Sequence, residues 1–212
     1  MPTLAKNVSF DEVWARLEKS GIFSSQTLTV AKEAAFRDVS KLCKMGKASL
    51  LSEKVEEKIK SIVQASLVEM RTKAEAIDDA VSFLNFFRDF WISFCMRMQT
   101  FRDVFLVLER TYLLATKGTT FWQIGLSAVK SKMNEAMRKR LMDGVIQLIQ
   151  LDRNEDKMEH RDLIAKSIHV MLALDFYRDL FEPKFLQVTK LFFREYAATN
   201  FAQLNVSAFN CL

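Results

Sequence analysis

The chain has 212 residues, half of them apolar and 27% charged, with a formal net charge of +5 at pH 7. That balance excludes a wholly disordered or collagen-like chain. Five glycines and two prolines are too few for the many turns of a sandwich or barrel, so the fold class is all-α.

Ser9 reads as an N-cap, and Glu12 three residues on completes a capping box. The first helix carries Val13, Trp14 and Leu17 and stops near Gly21. A Ser/Thr-rich connector, 24–29, leads to a second helix over about 30–45, apolar at Phe36, Val39, Leu42 and Cys43 and closed by Gly46 as its left-handed C-terminal residue. Ser52, with Glu56 and Glu57, opens a charged third helix with Val55, Ile59, Ile62 and Val63 on one face.

The fourth helix is the most informative. Phe83, Phe87, Phe90, Phe94, Met98, Phe101, Phe105, Leu108 and Tyr112 advance in steps of three and four. No proline or glycine interrupts 79–115, so the spacing predicts one helix of about 55 Å. A compact domain of this chain length is only about 35–45 Å across. An elongated rod or solenoid is therefore expected.

After Gly118 a fifth helix runs over 121–132, with Trp122, Leu126 and Val129 on one stripe. A sixth covers about 134–151, a polar loop 152–159, a seventh 163–174 and an eighth about 176–198, with Pro183 tolerable as a kink or first-turn residue. The Asn- and Gln-rich stretch 199–212 reads as a frayed tail.

Little in the sequence carries catalytic chemistry. His160 and His169 are too far apart to form an i, i+4 ligand pair. The stretch 152–163 begins like a calcium loop, but Lys157 replaces the turn glycine and Leu163 the closing glutamate. No nucleophile elbow or phosphate loop is present, so no catalytic residue, metal or cofactor is assigned. Cys43, Cys95 and Cys211 form no CxxC and read as reduced thiols. The segment 83–114 is too charged to span a bilayer, and the N-terminus lacks a signal-peptide core. The cluster Lys130, Lys132, Arg138, Lys139 and Arg140 reads as a solvated helix face rather than a phosphate-binding patch. No nucleic-acid or membrane partner is expected.

Four stretches, in order, resemble the cullin family, the scaffolds of RING-type ubiquitin ligases. Phe105-Leu-Val-Leu-Glu-Arg-Thr-Tyr-Leu-Leu114 resembles FLxLDRTYVL, and Phe121-Trp-Gln-Ile-Gly-Leu126 resembles IWDMGL. Asp143-Gly-Val-Ile-Gln-Leu-Ile-Gln-Leu-Asp-Arg-Asn154 is similar to DGILxLIxxxRN, and 176–189 to xYxxxFExxFLxxT. A weaker match is Phe36-Arg-Asp-Val-Ser-Lys-Leu-Cys43, similar to YxxVxxLC. The Arg-Thr-Tyr-Leu-Leu stretch points to the type four group.

The resemblance implies an elongated stalk of cullin repeats with about eight helices: a complete first repeat over 9–133, three helices of a second over 134–198, and the tail. In the family the second and fifth helices of the first repeat bind the adaptor. Carried over, that site is Phe36, Arg37, Ser40, Cys43 and Lys44 with Phe121, Trp122, Gly125 and Leu126. The implied partner is a triple β-propeller adaptor, and the implied function is a non-catalytic scaffold at the adaptor-binding end of a cullin-RING ligase in the cytoplasm and nucleus. The RING subunit would bind only through regions absent from these 212 residues, as is the lysine that accepts the ubiquitin-like modifier. In the type four group an arm ahead of the first helix reaches into the propeller, and only 1–8 precede that helix here. The residues alone also admit a helical-repeat rod unrelated to ubiquitin, such as a vesicle-tethering subunit.

Overall fold

The computed structural model describes residues 9–24, 29–154 and 159–203. Every regular element among them is a helix. The chain divides into two compact units, Met1–Leu141 and Met142–Leu212.

In the first unit α1 (Phe10–Lys19) starts at the Ser9 capping box, with Val13 and Leu17 buried and Trp14 stacked on Phe10. α2 (Thr29–Lys44) ends in a Schellman-type turn. Gly46 takes φ +72°, the Gly46 N–H donates to the Cys43 carbonyl, and the Lys47 N–H donates to the Leu42 carbonyl. α3 (Ala48–Ala74) follows at once, four residues before the expected start at Ser52. Ser52 is buried within it, its hydroxyl donating to Glu56. The tight Gly46 turn, rather than a serine cap, sets where this helix begins.

α4 (Ala80–Leu108) is capped by Asp79, whose carboxylate accepts from the Ser82 N–H at 2.7 Å and is held below the usual aspartate range mainly by that bond. Helix continues without a break to Lys117, as the spacing predicts, but its geometry is not regular throughout. Phe105 leaves helical geometry (φ −99°, ψ 16°), Glu109–Leu113 forms a π turn, and only Leu114–Lys117 returns to α geometry before Gly118. A π turn inserts one residue into the helical register. The step from Leu108 thus reaches Leu113, which is completely buried, instead of Tyr112, which is half-buried. Of the remaining stripe, Phe83, Phe87, Phe94, Met98, Phe101, Phe105 and Leu108 are core, whereas Phe90 is half-buried.

α5 (Phe121–Lys132) has the expected span and opens on a Thr120–Gln123 capping box. Its buried face is Phe121, Gly125, Ala128 and Val129, not the Trp122–Leu126 stripe. The helix packs on α3 and α4 together, and two neighbours cover a different and wider arc than a single stripe allows. α6 (Glu135–Asn154) is capped by Asn134, whose side-chain oxygen accepts from the Met137 N–H at 2.9 Å. Arg138 and Arg140 leave the expected solvated face. The Arg138 guanidinium donates to the Lys130 carbonyl, and that of Arg140 to the Ala74 and Ile77 carbonyls.

In the second unit residues 152–154 belong to α6 rather than to a loop, and the rest of that expected loop, 155–158, lies outside the described residues. α7 (Arg161–Ala173) buries Leu163, Val170 and Met171 and leaves His169 exposed. His160 Nδ1 pairs with Asp152 at 2.7 Å. α8 is a π turn, Tyr177–Phe181, followed by Glu182–Gln203 with Pro183 in its first turn. It runs past the expected end near Ala198, and 204–212 lie outside the described residues. Leu186, Leu191, Phe193 and Tyr196 are exposed on α8, while Arg153 lies over the Phe185, Phe192 and Phe193 rings. Among the described residues no helix is long and apolar enough to cross a membrane.

Candidate functional site

The nine residues singled out by the sequence lie on α2 and α5, and both helices pack against α4. α2 is held by Ala35, Val39 and Leu42, all buried, which turns Arg37 and Lys44 to solvent. Phe36 is half-buried. With Arg37 and Asp103 it borders an open concavity of about 410 Å³, at whose edge Lys32 pairs with Asp103 at 3.3 Å. The Ser40 hydroxyl donates to the Phe36 carbonyl at 2.8 Å. Cys43 is half-buried, and burial pushes its thiol pKa up, away from the reactive thiolate.

On α5 the set divides. Phe121 is completely buried and meets the Phe105 ring edge-on at 5.9 Å. Gly125 is buried against α4: a Cβ there would lie 2.8 Å from the Met98 sulfur and 3.3 Å from Phe94 Cζ. These two residues offer no surface to a partner, and their role is to set the seat of the helix. Trp122 is 37% exposed, and Leu126, one turn on, is half-buried. The Trp122 ring rests on Phe94 at a centroid distance of 5.8 Å. It is an aromatic platform backed by core.

A residue absent from the sequence-based set fixes that platform. Glu109, in the π turn, is only 6% exposed, and its carboxylate accepts from the Phe121 N–H at 2.8 Å. The first N–H groups of a helix lack intrahelical acceptors, and this one is buried beyond the reach of water. The Thr120–Gln123 box supplies further partners at the same end. Lys117, just before the turn, pairs with Glu56 of α3, and its hydrogen bond to that carboxylate raises its pKa. An acidic residue directly after the apolar run Val104-Phe-Leu-Val-Leu108 was the available signal for Glu109. Replacing Glu109 with leucine strands the buried N–H and is expected to cost about 1–3 kcal/mol, whereas glutamine keeps an acceptor and retains most of the stability. Urea unfolding of the two variants measures the difference.

Residues 14–210 match the Cullin alpha solenoid domain. The chain belongs to the cullin family. It is 27% identical over 193 residues to human Cullin-4A, a match covering 89% of this chain and 25% of that protein. It is 28% identical to mouse Cullin-4A over the same shares, and 25% identical to Cullin-4 of Dictyostelium discoideum, covering 86% of this chain and 23% of the relative. This cullin chain thus spans about a quarter of the length of the curated relatives it matches. The four stretches over 105–189 and the weaker one at 36–43 all lie inside the matched region.

Proposed function

We propose that this chain is a non-catalytic scaffold, its first unit the adaptor-binding end of a cullin-RING ubiquitin ligase and its partner a triple β-propeller adaptor. The observation that carries the reading is Trp122, a large ring left partly exposed while Phe94 holds it from below. Interfaces draw most of their energy from a few such aromatic anchors, and a ring already fixed by packing loses little freedom on binding. Phe36, with its adjoining concavity, is the second anchor. Arg37 and Lys44 supply charge that steers encounter and sets register. Assembly of this kind belongs in the cytoplasm and nucleus. With the family established, a vesicle-tethering rod has no observation of its own in its favour.

Calorimetric titration of a recombinant propeller adaptor tests the proposal. Binding tighter than about 10 μM is expected, and Trp122→Ala should weaken it by at least about 2 kcal/mol, roughly thirtyfold. Arg37→Glu should weaken binding while thermal unfolding stays within about 0.5 kcal/mol of wild type, as a surface charge change does. No measurable affinity, or equal affinity for all three proteins, contradicts the assignment.

A further inference from the structure

Between α3 and α5 the first unit carries a groove that the adaptor reading does not use. An open concavity of about 610 Å³ is lined by Lys60 and Gln64 of α3 and by Gln123, Ser127 and Lys132 of α5. A smaller adjoining concavity shares Gln64 and Lys132 and extends the groove to Arg71. Its one carboxylate, Glu56, is already neutralised by Lys117. Lys60, Arg71 and Lys132 are exposed, and among the described residues none of them has a carboxylate partner. The Gln123 side-chain oxygen accepts from the Thr120 N–H and the Thr119 hydroxyl, which leaves its amide NH₂ to donate into the groove.

We infer that this groove is a docking track for an extended acidic peptide segment of a partner protein. Charge complementarity is the warrant: Lys60, Lys132 and the Gln123 amide line the larger concavity, Arg71 lines the adjoining one, and the only negative charge along the groove is spent. The dimensions agree with it. Lys60 and Arg71 lie eleven positions apart on one helix, about 16 Å at 1.5 Å per residue. A chain extended at about 3.3 Å per residue covers that distance in about five residues. A carboxylate on alternate or successive residues can then meet Lys60, Lys132 and Arg71 in turn. The attraction acts between solvent-exposed charges, so it weakens as added salt shortens the screening length.

Fluorescence anisotropy with a labelled pentapeptide of alternating glutamate and aspartate tests the track on the intact chain. A glutamine–asparagine pentapeptide of the same length is the neutral comparison. The acidic peptide should bind at low salt and lose affinity at about 0.5 M salt, and the neutral one should bind at least about tenfold more weakly. Lys60→Glu combined with Lys132→Glu should weaken the acidic peptide by at least about tenfold. Lys19→Glu combined with Lys190→Glu changes net charge equally at exposed positions outside the groove and should leave the affinity within about twofold. Glutamine at positions 60 and 132 serves as the second variant should the reversals lower the melting temperature, and it should weaken binding in the same direction. Equal loss in both charge-reversed pairs overturns the proposal, because net charge alone would then account for binding. Equal affinity for the two peptides, or preferential capture of a DNA duplex by the same residues, overturns it too.

Discussion

Phe105→Ala is expected to destabilise the chain by about 3–5 kcal/mol, the range for deleting a buried aromatic ring. Phe105 is 1% exposed, and its ring meets Phe101 at 5.8 Å, Phe121 at 5.9 Å and Phe23 at 6.4 Å. One side chain thus joins α4 to α5 and to the turn after α1. The loss is a large share of a typical folding free energy of roughly 5–15 kcal/mol. Phe101→Ala should behave similarly at 2% exposure, and the half-buried Phe90 should cost clearly less. Phe193→Ala, removing a ring that is 58% exposed, should change stability by under about 0.5 kcal/mol. Urea melts of the four variants give the order directly. A loss below about 1 kcal/mol at Phe105 would mean that the ring cluster does not hold the unit together.

Arg140→Ala is expected to cost about 2–4 kcal/mol, combining charge-assisted hydrogen bonds with a cation–π contact. Its guanidinium donates to the Ala74 carbonyl at 2.6 Å and to the Ile77 carbonyl, and lies 4.2 Å from the centre of the Phe83 ring. Ala74 ends α3 and Ile77 lies in the turn after it, so one side chain ties that turn to the Phe83 ring at the start of α4. Lysine keeps the charge but not the planar fork that reaches two acceptors at once, so Arg140→Lys should recover only part of the loss. Arg138 tests the alternative, since it is near in sequence and its guanidinium meets only the Lys130 carbonyl among those bonds. Equal, small losses at both positions would show that the cluster is a solvated face after all.

The helices whose ends are written in local chemistry were legible. The Ser9–Glu12 start, the Gly46 stop and the 121–132 helix after Gly118 are all where the sequence places them. What escaped depends on partners distant in sequence. The π turn changes no composition and breaks no periodicity until Leu108. Its Leu114 N–H donates to the Glu109 carbonyl five residues back, and the Glu109 side chain meets a backbone N–H twelve residues later. Arg140 looked like one cation among five because an arginine's reach, not its neighbours in sequence, decides whether it ends in water or on a carbonyl. The phase of α5 was misread for a related reason. Its buried arc is set jointly by α3 and α4, which favours Phe121 and Gly125 and turns Trp122 outward. At the candidate surface the helices were found from the family motifs. Which side chains face solvent, and the carboxylate that seats α5, emerged only in three dimensions.

Hydrogen exchange of the chain, with and without saturating propeller adaptor, tests the central claim most directly. Slowed exchange confined to α2 (Thr29–Lys44), α5 (Phe121–Lys132) and the π turn before α5 is the predicted result, with α7 (Arg161–Ala173) unchanged. Protection of α7 or α8 alone, or none anywhere, would contradict it.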